Sequence, residues 1–344
     1  MKLLITGGAG FIGSNFLHYM RKAHPAYTLL NADALTYAGN LTNLEGIESV
    51  PDGSYRFVQG DIRDRAAMEP LFQAGVDAVI NFAAESHVDR SIVQPDIFVT
   101  TNIVGTQTLL ELARAYKVDK FVQISTDEVY GTLGAAGLFS ETTPLSPNSP
   151  YSASKASADL LVRAYHETYG MNVNITRCSN NYGPYQFPEK LIPLMIAQAL
   201  QDKPLPVYGD GLNVRDWLYV EDHCSAIDLV LHGGAPGEIY NIGGRNERTN
   251  LQVVATILEA LGKPASLIRH VPDRLGHDRR YAIDADKIRK ELGWQPQFPY
   301  ERGIRATIEW YAGHAEWMER IATGTYRSMS AGGGSNDNKE LEQT

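Results

Sequence analysis

The sequence predicts an α/β protein with a doubly wound parallel sheet and a smaller C-terminal substrate-binding lobe. In the first half of the 344 residues, short apolar runs alternate with helical patterns, which is typical of a parallel sheet covered by helices. A glycine-rich turn joins the first apolar run to the first helical pattern. After about Pro184 this alternation loosens and prolines become frequent. We therefore expect residues 1–183 to form mainly the dinucleotide-binding domain, and residues 184–327 mainly the second lobe, with some segments returning to the sheet.

The strands and helices of the first half can be placed from the apolar pattern. Residues 3–6, 28–32, 57–59, 78–82 and 121–125 are predicted as strands buried on both faces. Helical patterns cover residues 12–22, 66–72 and 103–116, and a further helix is predicted at 251–261. Ligands of such sheets bind beyond the carboxyl ends of the strands. Polar residues at those ends are therefore the first candidates for a functional site.

Composition argues against several other classes of protein. The net charge of −9 is unfavourable for a nucleic-acid-binding surface. The two cysteines, Cys178 and Cys224, form no CxxC motif, and no histidine cluster has the spacing of metal ligands in the sequence. We expect no bound metal, no disulfide and a cytoplasmic location. No apolar run is long enough for a membrane span, and residues 328–344 are predicted to be a disordered tail.

The first strand runs into a GxxGxxG turn formed by Gly7, Gly10 and Gly13. Such glycines allow a tight turn and let backbone N–H groups approach a pyrophosphate at the start of the next helix. Asp33 ends the second strand, and an acid there accepts hydrogen bonds from a ribose and repels a 2′-phosphate. The predicted cofactor is NAD rather than NADP. Asp61 and Ile62 follow the third strand, where they would meet the adenine, although Asp61 could instead cap the next helix.

Tyr151 and Lys155 lie four residues apart at the start of a predicted helix and would share one face. A nearby ammonium favours a phenolate, so we expect Lys155 to lower the pKa of Tyr151 and make it a base toward a sugar or alcohol hydroxyl. Tyr116 and Lys120 have the same spacing, but there a helix ends and a strand begins. Thr126, at the end of the fifth strand, is available to Tyr151 as a third member of the site.

Two adjacent acids, Asp127 and Glu128, follow the fifth strand directly. Neighbouring carboxyl groups tend to share one charge, because ionising both is costly and one pKa rises. Such a pair offers a base and an acid in one place. Side chains next to each other in a strand face opposite ways, so this interpretation requires the chain to turn at Asp127. The alternative is that the two acids cap the next segment or lie in solvent.

Several motifs resemble the extended short-chain dehydrogenase/reductase superfamily, whose fold is of the Rossmann type. They are GGAGFIG at 7–13, NFAAESHVDRS at 81–91, YSASK at 151–155 and GDGLNVRDWLYVEDH at 209–223. Within this superfamily the chain is similar to the dTDP-glucose 4,6-dehydratases from Met1 to about Trp317. The specific marks are TDE at 126–128, RCSNNYGPYQFPEKLIP at 177–193 and DRLGHDRRYAID at 273–284. Leu275 departs from the family, which usually has proline at this loop position.

The resemblance implies an NAD-dependent lyase that acts in deoxysugar biosynthesis, including that of dTDP-rhamnose, and forms a homodimer. The sugar would be oxidised at C4, lose water across C5 and C6, and receive the hydride back at C6. The catalytic residues it implies are Thr126, Asp127 as acid, Glu128 as base, Tyr151 and Lys155. The implied NAD site comprises Gly7, Gly10, Phe11, Ile12, Gly13, Asp33, Ala34, Leu35, Thr36, Asp61, Ile62, Phe82, Ala83, Ala84, Glu85, Ser86, Thr101, Tyr151, Lys155 and Asn181.

The smaller lobe should supply cations for the diphosphate of a nucleotide sugar. Lys190 and Arg215 are candidates, and a basic cluster lies at Arg269, His270, Arg274, His277, Arg279 and Arg280. The substrate residues implied by the resemblance are His87, Thr126, Asn180, Glu189, Lys190, Leu191, Pro206, Tyr208, Arg215, Asn250, Arg274 and His277. The alternative for the basic cluster is a solvated surface stretch.

Three other enzymes and one protein without activity remain as alternatives. A 4,6-dehydratase acting on UDP-glucose would use the same groups, because no residue identifies the nucleotide base. A nucleotide-sugar 4-epimerase shares Tyr151 and Lys155 but has no use for two adjacent acids. A UDP-glucuronate decarboxylase would retain Glu128 but not Asp127. An inactive NAD-binding sensor would have lost some of these groups, and none is missing.

Overall fold

The computed structural model describes residues 1–47, 53–273 and 276–327. Its strands are β1 (Lys2–Thr6), β2 (Thr28–Asp33), β3 (Tyr55–Gln59), β4 (Ala78–Asn81), β5 (Lys120–Thr126), β6 (Val173–Cys178), β7 (Asn180–Tyr182), β8 (Leu205–Tyr208), β9 (Val214–Tyr219), β10 (Ile239–Ile242), β11 (Glu247–Thr249) and β12 (Ile268–Val271).

Seven of these strands form one parallel sheet in the order β10-β6-β5-β4-β1-β2-β3. The order reverses between β1 and β4, as it does in doubly wound sheets. The predicted fold class is therefore confirmed. Strand β10 comes from the second half of the chain and pairs with β6, so a later segment does return to the sheet. Two smaller sheets, β11-β9-β7 and β12-β8, lie outside the main sheet and are built from residues 180–271.

Helices cover both faces of the main sheet and build the second lobe. They are α1 (Phe11–Ala23), α2 (Arg65–Gln73), α3 (Val88–Val93), α4 (Pro95–Phe98), α5 (Thr106–Ala115), α6 (Pro150–Tyr169), α7 (Leu191–Leu200), α8 (Val220–Gly233), α9 (Asn250–Ala260), α10 (Asp286–Leu292), α11 (Tyr300–Gly313) and α12 (Ala315–Thr323). The helix predicted at 103–116 begins within a π-helical stretch, Val99–Gly105, and continues as α5.

One prediction about strand burial is wrong. Strand β3 was expected to be buried on both faces, but Arg56 and Gln59 are exposed and its other residues are only partly buried. The reason is position, because β3 is the last strand of the sheet and pairs only with β2. Strand β5, in contrast, lies between β4 and β6 and is buried at all seven residues.

Among the described residues, three of the four apolar clusters hold these layers together. One lies under α1, α8 and α10 on one face of the sheet, and a second lies under α2, α5 and α6 on the other. The third joins α7, α9, α11 and α12 within the second lobe. Among the described residues, no helix is both long and apolar enough to cross a membrane. Leu275 and the tail at 328–344 lie outside the described residues.

Candidate active site

The carboxyl ends of the parallel strands open into one cavity of about 320 Å³. The predicted cofactor residues line this cavity, with the exception of Leu35. Leu35 instead packs against the apolar core and has a positive φ of 51°. All five predicted catalytic residues also line the cavity: Thr126, Asp127, Glu128, Tyr151 and Lys155. The structure thus brings together in space two groups of residues that the sequence spreads from Gly7 to Asn181.

The glycine turn is built by close backbone approach. A Cβ atom on Gly7 would lie 2.6 Å from the backbone nitrogen of Ala83, and one on Gly13 would lie 2.3 Å from the carbonyl oxygen of Gly7. Gly10 precedes α1, and no side chain caps the first turn of that helix. Its first N–H groups are therefore directed at the cavity, and such groups bind anions.

Asp33 is fixed by the backbone at the end of β2. Its carboxylate oxygens accept hydrogen bonds from the N–H groups of Ala9 (2.9 Å) and Leu35 (2.8 Å). Burial raises the pKa of Asp33, and these two hydrogen bonds oppose that rise. The glycine turn, the uncapped start of α1 and this carboxyl group fit the pyrophosphate and ribose of NAD.

Asp61 lines the cavity as a partner of Arg63, whose Nη2 donates to it at 2.6 Å. The cap of α2 is a different residue, Asp64, whose side chain accepts from the N–H groups of Ala66 and Ala67. Asp61 is therefore not the helix cap, and Ile62 is buried beside it.

The chain turns immediately after β5. Thr126 ends the strand, and a 3₁₀ turn, Asp127–Tyr130, begins at the next residue, with the Thr126 hydroxyl accepting from the N–H of Glu128 at 3.3 Å. This turn is what allows Asp127 and Glu128 both to reach the cavity. The turn that the acid-pair interpretation requires is present.

Asp127 and Glu128 differ in their surroundings. Asp127 is 1% exposed and its Oδ2 has no hydrogen-bond partner among the described residues, whereas Glu128 is only partly buried. Burial raises the pKa of Asp127 well above its ordinary value, and the charges of Glu128 and Asp216 add to the rise. Arg215 opposes it without offsetting it. Ionisation of Asp127 is therefore disfavoured relative to that of an exposed carboxyl group, and the more solvated Glu128 stands beside it.

Helix α6 delivers Tyr151 and Lys155 to the same place. The helix begins with Ser149 and Ser152 in reciprocal hydrogen bonds, which places Tyr151 in its first turn. Lys155 is 4% exposed and its Nζ donates to the carbonyl of Ile124 on β5 at 2.7 Å. One turn further, Asp159 accepts from Arg177 Nε at 2.9 Å. The buried face of α6 is thereby tied to β5 and β6.

The prediction that the pKa of Tyr151 is lowered is wrong. Burial raises the pKa of Tyr151 well above its ordinary value, the charge of Glu128 adds to the rise, and a hydrogen bond with Thr126 opposes it. Burial also lowers the pKa of Lys155, and the charge of Asp159 counteracts this. The spacing of Tyr151 and Lys155 predicted that both lie on one helix, but it did not predict that both are buried. Burial is the larger effect on the pKa of Tyr151.

The second tyrosine–lysine pair in the sequence is not part of the site. Tyr116 stands at the end of α5, is 36% exposed and donates from its hydroxyl to Glu69. Lys120 begins β5 and donates to the carbonyl of Gly234. The two side chains have separate partners and share no helix face.

The predicted substrate residues divide into two groups. Thr126, Asn180, Glu189 and Lys190 line the cavity. Glu189 accepts from the Tyr37 hydroxyl at 3.0 Å and lies 3.5 Å from His87 Nε2, so His87 borders the cavity wall. Lys190 Nζ donates to the carbonyl of Ser86 at 3.0 Å. These contacts connect the second lobe to the loop after β4.

The remaining predicted substrate residues do not line the cavity. They are Leu191, Pro206, Tyr208, Arg215, Asn250 and His277, while Arg274 lies outside the described residues. Arg215 is buried, donates to the carbonyl of Asp278 at 2.9 Å and stacks on the Tyr281 ring at 4.4 Å. In the basic cluster, Arg279 is paired with Asp210 and Arg280 with Glu247.

The cavity also contains residues that sequence reasoning missed. Ser125, Cys178, Ser179, Gln186, Phe187 and Tyr37 all line it. Cys178 ends β6 and Ser179 follows it. This strand contains polar residues, so the apolar pattern did not predict it. A buried histidine, His223, contacts Asn181 Oδ1 through Nδ1 at 2.9 Å, and burial lowers its pKa to about 3, so it is neutral.

Comparisons with known proteins agree with this geometry. A model of the GDP-mannose 4,6 dehydratase family matches residues 4–307. A dTDP-glucose 4,6-dehydratase of Xanthomonas campestris pv. campestris (strain B100) is 54% identical over 343 residues, covering 94% of this chain and 97% of that protein. The solved dTDP-glucose 4,6-dehydratase of Streptomyces venezuelae, with NAD bound, superposes with a TM-score of 0.91 at 51% identity, covering 93% of this chain and 100% of that one.

An enzyme of different activity has a similar structure. The UDP-glucose 4-epimerase of Thermus thermophilus, solved with NAD, gives a TM-score of 0.84 at 31% identity, covering 91% of this chain and 100% of that one. The fold therefore does not distinguish dehydration from epimerisation, and the side chains of the cavity must do so.

The glycine turn yields a prediction that separates folding from cofactor binding. Gly13→Ala should destabilise the protein by about 1–3 kcal/mol, because its methyl group would press on backbone atoms of the turn. Gly10→Ala has acceptable backbone angles (φ −80°, ψ 179°) and 3.3 Å to its nearest neighbour. It should keep its stability but bind NAD more weakly, because Gly10 lines the cavity.

Thermal unfolding and NAD titration measure the two effects. Gly313→Ala, where a Cβ would meet nothing within 4 Å, is the matched control and should neither destabilise the protein nor change NAD affinity. Equal NAD affinity in Gly10→Ala and the parent protein would contradict this placement of the pyrophosphate.

Proposed function

We propose that this protein converts dTDP-glucose to dTDP-4-keto-6-deoxyglucose, because the chain belongs to the family of dTDP-glucose 4,6-dehydratases in the extended short-chain dehydrogenase/reductase superfamily. The reaction is an NAD-dependent oxidation at C4, elimination of water across C5 and C6, and reduction at C6. The enzyme is thus a lyase with no net redox change. The observation that carries this assignment is Asp127, a buried carboxyl group with a raised pKa next to Glu128 in a cavity that also contains Tyr151.

Oxidation requires a proton acceptor for the 4-hydroxyl group, and Tyr151 is assigned this role. The chemistry that NAD supplies when bound is the acceptance of hydride from C4 and its return to C6, together with a positive charge that favours the Tyr151 phenolate. Lys155 adds a second positive charge from the same helix. Asp159 helps to keep Lys155 charged, since its carboxylate counteracts the effect of burial on the Lys155 pKa.

Elimination requires a base and an acid at the same time. Glu128, the more solvated of the two acids, removes the C5 proton, which the new C4 ketone has made acidic. Asp127 gives its proton to the departing C6 hydroxyl, which leaves as water. On reduction of C6, Glu128 returns its proton to C5. The proton that Tyr151 took from the 4-hydroxyl balances the one that Asp127 gave up, so exchange with solvent restores both groups.

The two lobes are assigned different ligands. Residues 1–183 would bind mainly NAD, and residues 184–327 mainly the nucleotide sugar. Lys190 and Arg215 are proposed to bind the diphosphate. The support for Lys190 is its position on the cavity wall. Arg215 is proposed on the family resemblance, since it does not line the cavity and donates to the Asp278 carbonyl, and its charge lowers the pKa of Asp127.

We propose that the enzyme is a homodimer formed through the helical face that includes residues 103–116 and 152–169. Several apolar side chains are exposed on or beside this face, including Val93 (79%), Val99 (48%), Val104 (43%) and Leu160 (55%). Burying such a patch favours association. A purely monomeric protein in sedimentation equilibrium would contradict this proposal. A cytoplasmic location stays a prediction.

The acid pair argues against the other reactions. A 4-epimerase transfers hydride at one carbon and needs no acid for a leaving hydroxyl, so burying the Asp127 carboxyl group would be a cost without a benefit. A UDP-glucose 4,6-dehydratase would use the same chemistry. Parallel incubations with dTDP-glucose and UDP-glucose, followed by mass spectrometry for the loss of one water, distinguish the two substrates.

Tyr151→Phe should bind NAD normally but lose about a hundred- to ten-thousand-fold in turnover of dTDP-glucose, because the 4-hydroxyl proton has no acceptor. Tyr116→Phe is the matched control, with the same spacing to a lysine but a position outside the cavity, and should be active. A damaging Tyr116→Phe together with an active Tyr151→Phe would overturn the assignment.

Glu128→Gln and Asp127→Asn should separate the two halves of the elimination. In Glu128→Gln, exchange of the C5 proton with deuterated water should stop, since no base removes it. Asp127→Asn should still exchange C5 while dehydrated product forms slowly. Deuterium at C5 is measured by NMR and product by mass spectrometry. Unchanged C5 exchange in Glu128→Gln would assign the base to another residue.

A further inference from the structure

A cluster of possible metal ligands lies outside the active site, where α1 packs against α8. His24 is the residue after α1, and Asp228 and His232 stand four residues apart on α8. His24 Nε2 lies 2.9 Å from Asp228 Oδ1, and His232 Nδ1 lies 3.0 Å from the same oxygen. The three ligand atoms all fall within 4.8 Å of one another.

The cluster is accessible yet structurally defined. The side chains are 26% exposed for His24, 13% for Asp228 and 33% for His232. The two imidazole rings stack with their centroids 4.9 Å apart. A metal ion could therefore enter from solvent, and the fourth coordination position would be left to water.

The chemistry of these ligands selects a particular class of ion. Two imidazoles and one carboxylate are ligands for zinc and related transition metals rather than for Mg²⁺ or Ca²⁺, which take oxygen ligands. Zinc bonds of about 2.0–2.1 Å in a tetrahedron require neighbouring ligand atoms about 3.3 Å apart. The two separations from Asp228, 2.9 and 3.0 Å, would have to increase slightly, and the two imidazole nitrogens lie within 4.8 Å of each other, so side-chain adjustment would bring the three atoms to this geometry.

Outer residues already orient the ligands. The Tyr27 hydroxyl contacts His232 Nε2 at 2.8 Å, which leaves Nδ1 as the atom directed at Asp228. The Tyr19 hydroxyl donates to Asp228 Oδ2 at 3.4 Å, and burial, assisted by Asp228, raises the pKa of Tyr19 to about 12, so it remains a donor. Such outer hydrogen bonds are typical of metal sites, where they fix the orientation of each ligand.

We propose that His24, Asp228 and His232 bind a zinc ion that clamps α1 to α8. Zinc would take the place of the proton on His232 Nδ1 that faces Asp228, and the neutral imidazole would carry its proton on Nε2, which would then donate to the Tyr27 hydroxyl. Because the 13 residues of α1 span about 20 Å, the ion would lie at the end of α1 opposite to the glycine turn. The site is structural and has no part in the sugar chemistry.

The experiment is a zinc titration of the full-length, NAD-bound enzyme after treatment with a chelator. Isothermal titration calorimetry should show one saturable site for Zn²⁺ and none for Mg²⁺. Bound zinc should also raise the thermal unfolding midpoint, because the site exists only in the folded protein. His24→Gln and His232→Gln should each weaken zinc binding at least tenfold and abolish the thermal shift.

His314→Gln is the matched control. His314 is exposed and stacks on the Trp310 ring at 4.2 Å, away from the cluster, so this variant should bind zinc as the parent does. Turnover of dTDP-glucose reports folding in every variant and should be unchanged. If His24→Gln does not fold, the more exposed His232→Gln provides the same test. Equal zinc affinity in the parent and in the His24→Gln/His232→Gln double variant would overturn the proposal.

Discussion

Exclusion of water at the carboxyl end of β5 is the constraint on which the proposed chemistry depends. The strand is buried along its full length, and its last residue leads straight into Asp127. A carboxyl group held there without solvent beside Glu128 is costly to ionise, which raises the pKa of Asp127. Two chemically similar side chains thereby acquire opposite roles from their surroundings alone. The same desolvation acts on Tyr151 and Lys155, so these two groups and Asp127 share a dry environment from which Glu128 is partly exposed.

The sheet and α6 keep these groups in register. Lys155 bonds to the backbone of β5 just before Thr126, and Asp159 bonds to Arg177 on β6. Arg177 in turn donates to the Tyr130 hydroxyl at the end of the 3₁₀ turn that begins with Asp127. The groups for oxidation and for elimination are thus parts of one buried hydrogen-bonded framework. A shift of α6 relative to β5 would disturb both halves of the reaction together.

The sequence predicts features that depend on local pattern and misses those that depend on burial. Alternating apolar runs and helical patterns were enough for the doubly wound sheet, and the glycine turn with Asp33 was enough to anticipate the cofactor cavity. Edge exposure of β3 and the raised pKa of Tyr151 depend on tertiary neighbours, which spacing does not reveal. His24 and Asp228 are 204 positions apart, so their proximity is likewise invisible in the sequence. The residues of the second lobe outside the cavity remain predictions.

The most direct test of the proposed reaction follows one labelled hydrogen from substrate to product. Substrate with deuterium at C4 is mixed with unlabelled substrate that is distinguishable by a carbon label, and the products are analysed by mass spectrometry and NMR. If oxidation, elimination and reduction occur in one enclosed site, the deuterium should appear at C6 of the same sugar molecule. No NADH should accumulate. Deuterium that crosses to the other substrate, or stoichiometric release of NADH, would mean an ordinary dehydrogenase and would contradict the roles of Asp127 and Glu128.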